Sequence, residues 1–228
     1  ITIQLGDEVR TESWPASVTY LPYPPLGTIH FDKLVFKTLT ALSDEEIESV
    51  LGYVKTVPPE KRGEGAIYAK AFTIFLPCGS KLVIETEPVW PTASPMKATL
   101  CASSHDDHPF VRVTQFLALF PEVQWANQEV EIAFDYEPTK QSWFEQTELL
   151  KCARKRRKFK GTGYSGCKTT EYSGSRTSSK QTRTYTKPLS SGFVTRNELI
   201  LRHKELLKIN VKRPLDLFSS DWTAIIRN

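Results

Sequence analysis

Apolar and polar residues alternate over residues 29–38, and β-rich runs follow at 66–76 and 81–87. Further strand patterns lie near 96–102, 129–136, around Tyr172, at 181–187 and at 193–202. A period of two puts alternate side chains on opposite faces, so each run predicts a strand with one core-facing side. Pro77-Cys78-Gly79-Ser80 between two of these runs reads as a hairpin turn. Helical spacing is rarer. Ser43-Asp44-Glu45-Glu46 is a capping box that opens a stripe of Ile47, Val50, Leu51 and Val54, stopped by Pro58-Pro59. Pro109 opens a second helix with Phe110, Val113, Phe116, Leu117 and Phe120. A third is predicted from Thr139 to about Arg156, running on into Lys151–Lys160, and short helices at 214–218 and 221–227.

This order predicts an α+β fold, a mostly antiparallel central sheet with helices packed on one face. It admits two similar α+β halves, 29–94 and 95–228. Residues 1–28, rich in Pro and aromatics, read as an N-terminal arm before a main domain at 29–228.

Charge adds what periodicity omits. The chain of 228 residues carries a formal +4. Residues 151–187 hold twelve Lys or Arg against one acid, Glu171, a balance of +11 that leaves the remainder at −7. An acidic body with a dense basic segment fits a polyanionic partner, most commonly nucleic acid. Arg154, Lys155, Arg156, Arg157, Lys158, Lys160, Arg176 and Lys180 are the expected phosphate contacts, which position DNA without reading its sequence.

Other classes are disfavoured. No run approaches 18 apolar residues, so no membrane helix is expected, and the start Ile1-Thr2-Ile3-Gln4 has no signal-peptide pattern. Four cysteines without close pairing suit free thiols in a reducing cytoplasm rather than a zinc ribbon. His105-Asp106-Asp107-His108 has a metal-like spacing, but the following Pro109 makes it a helix start where Asp is favoured. Gly161-Thr-Gly-Tyr-Ser-Gly166 fits no phosphate-cradling loop, so ATP hydrolysis is not expected.

Two strands carry candidate chemistry. In Glu129-Val-Glu131-Ile-Ala-Phe-Asp135-Tyr136, Val130, Ile132 and Phe134 form one face, and Glu129, Glu131 and Asp135 form the other around Ala133. Such a carboxylate row is tolerable if it is solvated, paired with cations, or bound to a hard divalent ion. In 181–187, Arg183, Tyr185 and Lys187 share a face. A phenol between two cations is a plausible phosphate-attacking nucleophile, the cations favouring the phenolate. Glu198 shares its face with Arg196, and either joins the acidic row or forms a cross-strand ion pair.

The segment from Tyr172 to Lys187 resembles, without a gap, the Y-x-G-x-R-x-S-x-x-x-x-R-x-Y-x-K motif of the replication initiation factor family. That family comprises rolling-circle plasmid initiators, related conjugative-element relaxases and some filamentous-phage replication proteins. Val130–Tyr136 is similar to its L-D-L-A-F-D-F strand, and Arg196–Leu201 to its R-x-E-x-E-L strand. The likeness spans about residues 95–205. Glu131 stands where the family has Asp, and Ile200 replaces the second acid of the last motif.

The resemblance implies that Tyr185 nicks DNA at a single-stranded or hairpin origin and becomes 5′-phosphotyrosyl. It implies Mg²⁺ or Mn²⁺ held by Glu131 and Glu198, with Asp135 or Glu129 assisting. It also implies a homodimer and a cooperating helicase. A non-catalytic DNA-binding module using residues 151–187, a β-rich protein with a heparin-binding loop, and a tyrosine recombinase stay open beside it.

Overall fold

The computed structural model describes residues 2–5, 8–11, 29–51, 55–57, 65–102, 108–136, 156–159, 170–175, 177–189 and 192–227. Contacts divide the chain into two units. The first takes residues 1–23 and 35–126, the second residues 24–34 and 127–228. This division differs from a cut between residues 94 and 95.

In the first unit, β1 (Thr2–Leu5) and β2 (Glu8–Thr11) pair as a two-stranded ribbon within the expected N-terminal arm. The predicted capping box forms at α1 (Asp44–Leu51). Ser43 N donates to Glu46 Oε2 at 2.7 Å, and Glu46 N donates to Ser43 Oγ at 3.2 Å. β4 (Lys55–Val57), β5 (Tyr68–Phe75), β6 (Lys81–Pro88) and β7 (Met96–Cys101) form an antiparallel meander in chain order. Gly79, at φ +85°, supplies the left-handed residue of the predicted turn, and its N donates to Leu76 O at 2.7 Å. The helix α2 (Pro109–Leu119) lays Phe116 flat on Phe36, centroids 5.1 Å apart, and against Trp125.

The second unit holds the residues with candidate chemistry. β3 (Ile29–Thr38) contributes residues 29–34 and lies beside β8 (Trp125–Tyr136). The order continues through β12 (Gly192–Arg202), β11 (Lys180–Leu189), β10 (Thr170–Ser173) and β9 (Arg156–Phe159), antiparallel from β8 outward. Val130, Ile132, Leu199 and Leu201 are buried on one face. Phe31 on that face meets Phe218 and Trp222 edge-on, at 6.3 and 5.2 Å. Those aromatics belong to the short helices α4 (Asp216–Ser219) and α5 (Trp222–Arg227), which follow α3 (His203–Lys208). The fold is α+β and mostly antiparallel, as the alternation predicts.

One expected helix is corrected at its end. The helical expectation runs through Lys160, but Arg156–Phe159 is strand, paired residue for residue with Ser173–Thr170. Four residues of mixed Arg, Lys and Phe show neither a helical stripe nor an alternation of their own, so the pairing with β10 decides their state. The remainder of that predicted helix, residues 139–155, lies outside the described residues, as do His105 and Val54.

Candidate nucleic-acid site on the polar sheet face

The period of two places the candidates. Cross-strand partners share a face, and the register aligns Tyr185 with Arg196 and Arg196 with Asp135. In the neighbouring row, Tyr172 pairs with Arg183, Arg183 with Glu198, and Glu198 with Ala133. Ile200 pairs with Glu131, and Arg202 with Glu129. Glu129, Glu131, Asp135, Arg183, Tyr185, Lys187 and Glu198 therefore occupy one sheet face, as the sequence pattern requires.

The opposing charges are matched in detail. Arg196, only 1% exposed, gives Nε and Nη2 to the two oxygens of Asp135, both at 2.7 Å. Its Nη1 donates to Asp32 Oδ1 at 2.5 Å, and its Nη2 lies 2.9 Å from His30 Nε2. Arg183 bridges two acids, with Nε on Glu198 Oε2 and Nη2 on Glu131 Oε2 at 3.0 Å. Ala133 faces Glu198 across the strands, and its small side chain leaves room for that diagonal reach. Lys33 Nζ meets Glu131 Oε1 at 2.5 Å and Glu129 Oε1 at 2.9 Å. Arg202 Nε meets Glu129 Oε2 at 2.9 Å.

Five acids (Asp32, Glu129, Glu131, Asp135, Glu198) thus stand among five Lys or Arg (Lys33, Arg183, Lys187, Arg196, Arg202), a formally neutral set. Burying Glu198 at 0% exposure and Asp135 at 2% is tolerable only with such partners.

Tyr185 is half-buried, and its hydroxyl donates to Glu198 Oε1 at 2.5 Å. The Arg183 guanidinium lies over the ring, 5.7 Å from the centroid. Burial pushes the phenol above its ordinary value. Arg183 favours the phenolate as expected, and Arg196 does so more strongly, but burial outweighs both. Lys187 lies 4.0 Å from Asp32 Oδ1. Its ammonium is pushed below its usual value by burial and then by Arg196. His30 is pushed down to about 4 by burial and by Arg196, so the imidazole is neutral at pH 7.

His30, Asp32, Lys33 and Arg196 were not among the predicted site residues. Alternation in β3 signals part of this, since His30 and Asp32 flank the core residue Phe31. Lys33 breaks the rule. Asp32 and Lys33 both reach the polar face, and Leu34 returns to the core at 0% exposure. The alternation slips one place there, as at a β-bulge. Of the predicted DNA contacts, Lys180 opens β11 and is partly exposed. Arg156, Arg157 and Lys158 lie in β9. Arg154, Lys155, Lys160 and Arg176 lie outside the described residues.

The four acids expected to hold Mg²⁺ or Mn²⁺ do come together, but not as an ion-binding set. Both oxygens of Glu131 serve Lys33 and Arg183, both of Glu198 serve Tyr185 and Arg183, and both of Asp135 serve Arg196. Among the described residues, no three or more His, Cys, Asp or Glu are arranged to hold a metal ion. A divalent ion entering between Glu131 and Glu198 must displace a guanidinium, so the donor set as it stands does not fit one.

No helix among the described residues is long and apolar enough to cross a membrane. The chain matches no family model and no curated protein. Among solved structures it is similar to the rolling circle replication initiator protein from Geobacillus stearothermophilus, at 15% identity and a TM-score of 0.48, over 79% of this chain and 76% of that one.

Proposed function

We propose that this chain is a DNA strand-nicking and strand-joining enzyme of the rolling-circle initiator kind, with Tyr185 as nucleophile. The observation that carries this reading is the setting of Tyr185. Its phenol lies on a strand face, flanked by Arg183 and Lys187 and hydrogen-bonded to the fully buried Glu198. The ungapped motif from Tyr172 to Lys187 supports it independently.

In the proposed reaction, Tyr185 Oη bonds to the scissile phosphorus and the bond from phosphorus to the 3′ oxygen breaks. The products are a 5′-phosphotyrosyl chain and a free 3′-OH. A phenol held above its ordinary pKa needs a proton acceptor, and Glu198 Oε1 already receives its hydrogen bond. The departing 3′ oxygen takes a proton from water. One phosphodiester replaces another, so no nucleotide is hydrolysed, and the reverse reaction rejoins the strand. Arg183 and Lys187 meet the phosphate, and the basic run 154–160 supplies further contacts to the DNA backbone. A partner helicase and a second copy of the chain belong to this reading by motif resemblance alone.

Tyr185→Phe should abolish the covalent protein–DNA adduct on a denaturing gel with a labelled single-stranded origin oligonucleotide. Binding in a mobility-shift assay should remain within about twofold of the parent, since only a hydroxyl is lost. Adduct formation by the Phe variant overturns the assignment. The non-catalytic DNA-binding reading draws on one observation, the neutrality of the face around Tyr185. It requires binding without any adduct in the parent chain.

A further inference from the structure

The acids on the polar face were expected to gather around a divalent ion, and a different cation stands among them. We infer that Arg183 is the resident cation of the Glu131–Glu198 pair and keeps a divalent ion from binding there. This rests on the residue assignments of the nicking reading but not on the reaction itself.

Three observations converge on it. The Arg183 guanidinium touches both carboxylates at once, through Nε to Glu198 and through Nη2 to Glu131 at 3.0 Å. The remaining oxygens are served by Lys33 and by the Tyr185 hydroxyl, both at 2.5 Å. The pair is also buried, Glu131 at 3% and Glu198 at 0% exposure, so its charge must be matched by something that stays. A planar guanidinium with fixed N–H directions suits two carboxylates held by two strands. A small hard ion demands several oxygen ligands drawn tightly round it, and here each oxygen already has a donor.

The position of Arg183 gives the arrangement a chemical use. Its guanidinium lies over the Tyr185 ring, 5.7 Å from the centroid, and is partly exposed. A phosphate approaching Tyr185 Oη meets a positive charge that belongs to the chain. Arg183 can supply the charge complementarity that a metal supplies in other phosphoryl-transfer sites.

The test is Mn²⁺ binding, read as loss of the free-ion signal in electron paramagnetic resonance, with no DNA present. The parent chain should take up no stoichiometric Mn²⁺ through this pair. Arg183→Gln leaves two buried carboxylates short of one cation. It should bind about one Mn²⁺ per chain at least roughly tenfold more tightly than the parent. Adding Glu131→Gln to that variant should remove the gain. Arg183→Ala serves as the second variant if the Gln form does not fold, with circular dichroism as the check.

Parent-chain binding that is lost in Glu131→Gln or Glu198→Gln overturns the inference. So does equal Mn²⁺ affinity in the parent and the folded Arg183 variants. Neither result touches the adduct assay on Tyr185→Phe, so failure here and failure of the nicking reading are separately visible.

Discussion

His30 is an imidazole inside an ion network, and its neutrality has a consequence for pH. Burial and the Arg196 guanidinium hold it down to about 4, with a smaller push from Lys187 and against the pull of Asp135 and Asp32. The unfolded chain has an ordinary histidine near 6.5 and takes up the proton first as pH falls. This contribution to stability is full above about pH 6.5, declines as pH drops, and is spent below about 4. The decline amounts to roughly 3 kcal/mol at most, for a shift of this size. Urea unfolding of the parent between pH 7 and 4 should show it, and His30→Gln should flatten the slope. An unchanged slope in that variant places the titration elsewhere. Asp32 adds to the same trend at lower pH. Burial raises its pKa, but Arg196, Lys187 and His30 together hold it below the ordinary value.

At the scale of elements, α3 shows how a helix end can be set by one residue. Asn210 sits at φ +61°, Asn210 N donates to Leu207 O at 3.2 Å, and Val211 N donates to Leu206 O at 2.9 Å. That is the paired closure of a Schellman motif, with its accompanying apolar residues Leu206 and Val211 both at 0% exposure. Asn tolerates the left-handed region and β-branched residues do not. Asn210→Val should therefore cost about 1–2 kcal/mol in chemical unfolding, while Asn210→Gly should be close to neutral. Asn210→Val matching Asn210→Gly would show that the left-handed turn is not what closes the helix.

The same scale explains what the sequence reveals. The faces of β8, β11 and β12 were legible because alternation is local, so Tyr185, Arg183, Glu131 and Glu198 could be placed together. The contribution of β3 was not, because its place beside β8 joins residues about 100 positions apart. The slip at Asp32–Lys33 adds a break that no periodic pattern predicts. Arg156–Phe159 is hidden from the sequence for a related reason. A strand without its own apolar alternation is declared only by the neighbour it pairs with.

At the scale of the whole molecule, the charge map separates two tasks that the sequence merges. Residues 151–187 carry an excess of +11, but Arg183 and Lys187 stand on a face where five acids meet five Lys or Arg. A locally neutral face exerts little long-range pull on a polyanion, because its fields cancel within a screening length of about 8 Å at physiological salt. Attraction for DNA should therefore come from the other cations of the segment, with Arg154 to Lys158 the densest of them. For single strands, each phosphate neutralised adds about 0.7 to the magnitude of the slope of log affinity against log salt. Replacing Arg154, Lys155, Arg156, Arg157 and Lys158 with Gln should lower that magnitude by up to about 3.5. Arg183→Gln should leave it within about 0.7 of the parent, because that guanidinium answers two carboxylates before it answers DNA. Fluorescence anisotropy with a labelled single strand across a salt series measures both. A larger slope change from Arg183 alone than from the five together would mean that the polar face draws DNA in, and that its internal pairing gives way on contact.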